Sequence, residues 1–257
     1  TKQHTIGRAK KDLGIQLDVS NKVLGYVDAM LITKWISGIA GDLTKMVLSG
    51  NPALIGEVNQ LGSLLQYDIS ETHFKDLCTA LSSALADNVE ALDVSGCGIG
   101  PKALAHVSNL IGGSERTFDS IKVSSTADVK NPFRYELNIK DRSYELRAKC
   151  LGIADIGLLA AWTKNPGYRK VLTKIDLAQN PAVGAKAGTK SADSKINALL
   201  TNMLDMSLLT VDLSGCNLRA YQLFALAPCE STEIVGVRWR FKDTKFKKTI
   251  KQLTLSS

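Results

Sequence analysis

One short phrase returns along this chain, and it limits what the chain can fold into. LDVSNKVL starts at Leu17, MVLSGNPAL at Met46, YDISETHF at Tyr67 and LDVSGCGI at Leu92; IKVSSTADV starts at Ile121, YELRAKCL at Tyr144, IDLAQNPAV at Ile175 and VDLSGCNL at Val211. Successive starts are 29, 21, 25, 29, 23, 31 and 36 residues apart. A unit this short cannot bury its own apolar face, so copies have to stack and share a core. Within each phrase the residues alternate, with Leu92 and Val94 on one side and Asp93 on the other, which predicts a short strand with a core side and an outward side. One alternating phrase marks any half-buried strand; eight in near-regular order mark a layered array.

Between the phrases the apolar spacing changes to three and four. Lys75 to Ala86 carries Leu77, Leu81 and Leu85, and Pro101 to Ile111 carries Leu104, Val107 and Ile111, so each predicts a helix with one apolar stripe. Pro101 suits a helix start, where its missing N–H costs nothing. Two places break the rhythm. Phe133, Tyr135, Leu137 and Ile139 alternate after Pro132 and predict an extra strand where the unit would place a helix. The stretch GAKAGTKSADSK, residues 184–195, predicts an exposed, mobile inserted loop. Near the end, Val237, Trp239 and Phe241 predict one strand and Ile250, Leu253 and Leu255 another, as a capping hairpin or two shortened units.

The pattern L-x-x-L-x-L-x-x-N/C-x-L is met by Val89, Leu92, Val94, Cys97 and Ile99, and again by Leu208, Val211, Leu213, Cys216 and Leu218. On these residues the chain resembles the leucine-rich-repeat family, and its helix-bearing units resemble the ribonuclease-inhibitor-like class. That resemblance implies an α/β fold: a right-handed leucine-rich-repeat solenoid, or horseshoe, with parallel strands on the concave face and helices on the convex face. It implies one domain over residues 1–257 with about eight or nine repeats, an irregular repeat at 126–143, the inserted loop at 184–195 and a C-terminal cap at 234–257. The Asn/Cys slot would bond backbone left unpaired at the turn into the next layer; Asn51 and Asn180 suit it, and Cys97, Cys216 and Thr72 suit it less strongly. The stretch Ile175 to Ala227 also resembles, loosely, the repeat domain of actin-capping-protein linkers.

Composition narrows the class. Hydrophobic residues make up 44% of the chain and charged ones 22%, enough apolar material for a core and the wrong balance for a disordered segment. Trp35, Lys45 and regularly spaced Asp, Ser and Gly interrupt every apolar stretch, so no transmembrane segment is expected. The start at Thr1, without an initiator Met or an apolar leader, suggests a processed piece or one cut from something longer. Cys78, Cys97, Cys150, Cys216 and Cys229 form no CxxC pair, and no Asn-X-Ser/Thr acceptor occurs. Both features fit reduced thiols in an intracellular, cytoplasmic protein. His4, His73 and His106 are dispersed, Cys97 and Cys216 occupy the structural slot, and GCGIGPK from Gly96 lacks phosphate-loop spacing. The expectation is a protein that is not an enzyme, with no catalytic residue, cofactor or metal.

The outward strand position reads Asp18, Val47, Asp68, Asp93, Lys122, Glu145, Asp176 and Asp212. Its acidic members, Asp18, Asp68, Asp93, Glu145, Asp176 and Asp212, offer an electronegative groove for a basic segment of a protein partner. The alternative is that Asp and Ser are simply common at those positions in the family. The net charge of +7 would then lie on the helices, the insert and the ends. Arg238, Arg240, Lys245, Lys247 and Lys248, interleaved with Trp239, Phe241 and Phe246, offer a contact for nucleic acid or an anionic surface, or form a solvated cap. The expected function is a non-enzymatic protein–protein interaction scaffold or adaptor using the curved repeat surface. Its alternative is a structural subunit of a nucleoprotein or membrane-associated assembly that meets acidic partners through its basic ends.

Overall fold

A computed structural model describes residues 14–39, 41–113, 117–128, 131–165, 171–185, 190–204, 210–218, 234–235 and 252–254. Alternation and helical spacing convert into strand–helix pairs. β1 (Ile15–Asp18) leads to α1 (Tyr26–Ile36) and β2 (Leu43–Val47). A 3-10 turn (Pro52–Leu54) and a ribbon of β3 (Glu57–Val58) and β4 (Leu64–Gln66) precede α2 (Glu71–Ala84) and β5 (Asn88–Asp93). Then come α3 (Pro101–Gly112), β6 (Thr117–Ser124), β7 (Arg134–Asn138), β8 (Ser143–Glu145) and α4 (Ile153–Lys164). The remaining described elements are β9 (Lys174–Asp176), α5 (Ala182–Ala185), α6 (Lys190–Leu204), β10 (Thr210–Asp212), β11 (Ile234–Val235) and β12 (Gln252–Thr254).

The strands do not form the uninterrupted parallel ladder of a solenoid. The fold is mixed α/β, with a mixed five-stranded sheet in the order β1-β2-β5-β6-β7, a second five-stranded sheet in the order β11-β12-β10-β9-β8, and the two-stranded β3-β4 ribbon. In the first sheet β1, β2, β5 and β6 pair in parallel, and β7 closes it antiparallel to β6, with Ile121 opposite Leu137 and Val123 opposite Tyr135. The horseshoe expected from the repeats is therefore corrected, since such a solenoid has parallel strands only. The physical reason lies in residues 125–133: nine residues are too few for a parallel crossover, which takes a dozen or more, so the chain turns back on itself. β7 then occupies the free edge of β6, and β8 starts a new sheet.

Two further expectations change. The phrase at Tyr67 forms no strand, because Glu71 already opens α2 and Asp68 sits in a turn with φ +58°. The stretch at 184–195 is no continuous loop: α5 reaches Ala185 and α6 begins at Lys190. Ile196, Leu199, Leu200 and Met203 bury one stripe of α6, and Ala and Lys, both good helix formers, extend it backward.

The inward residues form one core. Met46, Leu92, Ile121 and Leu137 share a register across the first sheet and are at most 1% exposed. Helices pack beside one another in the sequence α1, α2, α3, α4, α6 and cover this side. Asn51 and Asn180 lie fully buried at strand exits. Asn51 Oδ1 accepts from the N–H groups of Lys22 (2.9 Å) and Leu24 (3.1 Å), while Nδ2 donates to the carbonyls of Leu48 (2.6 Å) and Val19 (3.0 Å). Asn180 accepts from Leu151 N–H (3.0 Å) and donates to the Leu146 (2.9 Å) and Leu177 (2.7 Å) carbonyls. Cys97 and Cys216 donate only one thiol, to Leu48 O (3.1 Å) and Leu177 O (3.0 Å). Thr72 lies in α2 and takes no part in this series.

Helices α1, α3 and α4 each start after a glycine, Gly25, Gly100 and Gly152, which has no side chain to cap them. Aspartates supply the missing acceptor. Asp28 accepts from Gly25 N–H (2.9 Å). Asp68 comes from 32 residues upstream and accepts from Gly100 (2.8 Å), Lys102 (2.9 Å) and Ala103 (3.2 Å); a Cβ on Gly100 would come within 2.6 Å of its Oδ2.

Asp155 goes furthest. It is fully buried, and its Oδ2 accepts from Gly152 N–H (2.8 Å), Thr126 N–H (3.0 Å) and Thr126 Oγ1 (2.6 Å), while its Oδ1 accepts from the Tyr135 hydroxyl (2.8 Å). One carboxyl thus ties the loop after β6, strand β7 and the start of α4, where the two sheets part. Burial pushes the Asp155 carboxyl above the usual range against the pull of its donors, and pushes the Tyr135 phenol up as well.

Asp155→Ala leaves these donors unpaired in the core and should cost about 3–5 kcal/mol, read as a fall in urea midpoint. Asp155→Asn keeps one acceptor and should cost clearly less. Because the folded value is raised, this group's contribution falls as pH rises through it. The difference between wild type and Asp155→Asn should therefore move in favour of wild type as pH is lowered toward about 4.

Candidate protein interface

Strands buried on one side by helices present their other side outward. Gln16, Asp18, Asn88, Glu90, Lys122 and Arg134 are exposed there, and no helix of the described residues covers them. Parallel strands ordinarily have both faces covered, so an open face of this kind is unusual. Because strands are spaced by about 4.8 Å, side chains of equal register stand in rows across it.

Two rows hold most of the carboxylates expected from the sequence. Asp18, Val47, Asp93, Lys122 and Glu136 are consecutive register partners across the first sheet. Glu145, Asp176 and Asp212 are consecutive partners across the second. Asp68 belongs to neither, being the cap of α3. Arg238, Arg240, Lys245, Lys247 and Lys248 lie outside the described residues.

The carboxylates in these rows are engaged. Asp18 Oδ1 accepts from Ser20 N–H (3.0 Å) and Oγ (2.7 Å), and Asp93 Oδ1 from Ser95 N–H (3.0 Å) and Oγ (2.8 Å). Asp212 and Asp176 accept in the same way from Ser214 N–H (2.9 Å) and Ala178 N–H (3.0 Å). Asp-x-Ser after β1, β5 and β10, and Asp-x-Ala after β9, are thus Asx turns that close these strand exits. The two Ser20 bonds hold the Asp18 carboxyl below its ordinary value.

Cations meet four of these carboxylates, Glu136, Glu145, Asp176 and Asp212. Arg147 places Nε 3.0 Å from Asp176 Oδ2 and Nη2 2.6 Å from Asp212 Oδ2. Lys174 meets Glu145 at 2.8 Å and Lys122 meets Glu136 at 3.1 Å, while Gln16 Nε2 donates to Glu90 at 3.1 Å. Bonds from Lys174 and Ser143 hold Glu145 below the carboxylate range. The face is a set of turn-bound and ion-paired carboxylates rather than an open ladder of acids. Sequence reading missed Arg147 and Lys174, yet each sits two residues from a predicted outward position, where period-two alternation would have placed it.

Other reactive side chains are turned to structure. Burial pushes the Cys78 and Cys97 thiols up to about 12 and Cys216 up to about 11, far from the nucleophilic range. His106 bonds Glu71, a helix-to-helix pair between α3 and α2 that lowers the Glu71 carboxyl. Among the described residues no three His, Cys, Asp or Glu side chains converge to hold a metal, and no helix is long and apolar enough to cross a membrane. No protein-family model matches the chain, and no curated protein matches it at a significant level.

Removing the shared cation leaves Asp176 and Asp212 facing each other across one strand spacing. Arg147→Gln should lower the urea midpoint at low ionic strength, and the loss should shrink in about 1 M NaCl, where charges are screened within about 3 Å.

Proposed function

We propose that this chain is a protein-binding scaffold or adaptor without enzymatic activity, which holds its partner on the uncovered face of its sheets. One observation carries the reading: among the described residues, helices shield one side of the strands and leave the other side open, with charges fixed in register rows. Side chains already held by Asx turns and ion pairs lose little freedom when a partner arrives, so such a face is preorganised for recognition. The order of charges across a row, with Lys122 between Asp93 and Glu136, selects a partner by charge pattern, with mismatched charges opposed.

The test uses Glu90, Glu136 and Glu145, which hold no strand-exit turn. The triple variant Glu90→Lys, Glu136→Lys, Glu145→Lys should keep the far-ultraviolet circular dichroism of wild type. It should capture the partner that wild type retains from source-cell extract at least about tenfold less well. Undiminished capture would exclude the open face. A partner lost steeply between 50 and 200 mM salt would instead support binding of phosphate-rich assemblies through the basic ends.

A further inference from the structure

Where β1, β2, β5 and β6 end, their exit turns and the β3–β4 ribbon enclose a cleft of about 250 Å³. Ligands of open α/β sheets gather at the carboxyl ends of parallel strands, where turns leave concave backbone. Gly96, with φ +68°, lines the cleft, and a Cβ there would lie 2.7 Å from Nη2 of Arg134, so the guanidinium rests directly on bare backbone. Ser124, the register partner of Arg134, fixes this turn by accepting from Gly96 N–H (2.9 Å).

Arg134 is exposed and, among the described residues, forms no ion pair. Arg147, at the corresponding exit of the second sheet, is spent on two aspartates. Of the acids near the cleft, Asp93 is committed to Ser95, Asp68 to the start of α3, and Asp128, whose charge acts on Tyr67, accepts from Asn131 N–H (3.4 Å). Pro52, Leu64, Ile99 and Pro132 give the cleft its apolar lining, and Asn21, Tyr67 and Ser124 add polar groups. Burial and nearby carboxylates push the Tyr67 phenol up to about 12, so it stays neutral and adds no charge to the site.

A lone guanidinium against an apolar wall calls for an anion that carries an apolar group. The volume lies below the roughly 300–1,000 Å³ of pockets for drug-sized ligands, which suits a single terminal residue. The cleft, through its register pair Ser124 and Arg134, lies two residues along β6 and β7 from Lys122 and Glu136 of the face described above. We propose that it binds the C-terminal carboxylate of a partner polypeptide, with Arg134 pairing the carboxylate in bidentate fashion and the Leu64–Ile99 wall receiving an apolar last side chain. This inference rests on the protein-binding reading and names the part of the partner that is read.

The test needs no partner. N-acetyl-leucine, titrated into the whole isotope-labelled chain, should shift the amide signals of Gly50, Gly96 and Ser124 with a millimolar dissociation constant. N-acetyl-leucinamide, which lacks the carboxylate, and inorganic phosphate, which lacks the apolar group, should each bind at least about tenfold more weakly. Arg134→Gln should lose about tenfold in affinity for N-acetyl-leucine with an unchanged urea midpoint, and Arg134→Lys should lose less. Equal binding of the amide or of phosphate, unchanged affinity in Arg134→Gln, or no shifts in wild type would overturn the proposal. Failure here with capture still lost in the glutamate triple variant would remove the cleft and leave the open face standing.

Discussion

The Asp155 carboxyl is the interaction on which the rest of this architecture depends. Burying a carboxylate costs several kcal/mol unless its lone pairs are satisfied. Here they are satisfied by groups from three separate places: the backbone and hydroxyl of Thr126, the phenol of Tyr135 and the amide of Gly152 just before α4. The group is stable only when the exit of β6, strand β7 and the N-terminus of α4 are all in place. That makes it a lock on the junction, and the junction is where the fold departs from simple repetition.

At that junction the two layers behave differently. Helices α3, α4 and α6 pack side by side without interruption, so the hydrophobic layer is continuous. The strand layer is not, because β7 returns antiparallel and fills the edge that β8 would have joined. Trp162 of α4 bridges the gap from below: its Nε1 donates to the Tyr144 hydroxyl (2.9 Å), which donates to the Asn138 carbonyl at the end of β7 (3.0 Å). The result is one buried core under two open sheet faces, each with its own row of paired charges.

Much of this was legible in local spacing. Leu92, Val94, Cys97 and Ile99 all point inward, as their alternation requires, and the slot residues Asn51 and Asn180 bond the neighbouring turns. The strand around Tyr135 and Leu137 was legible too, but its direction was not, since alternation is the same in parallel and antiparallel strands. YDISETHF copies the strand phrase closely, yet Asp68 is claimed by the amides of α3 some thirty residues away, a pairing no local pattern reveals. The acidic ladder was half legible: Asp-x-Ser carries its turn partner two residues on, whereas Arg147 reaches Asp176 and Asp212, 29 and 65 residues distant. For the same reason Arg134 gave no signal in sequence; only the fold shows that it stands over Gly96 with no ion pair among the described residues.

The antiparallel return at β7 is the point at which this fold stands or falls, and cross-strand nuclear Overhauser contacts report it directly. The account predicts contacts between the backbones of Ile121 and Leu137, Lys122 and Glu136, and Val123 and Tyr135, in antiparallel order, and none between β6 and β8. Backbone contacts running in parallel from Ile121 to Tyr144 would contradict it, and would restore the uninterrupted ladder that the repeats alone suggest.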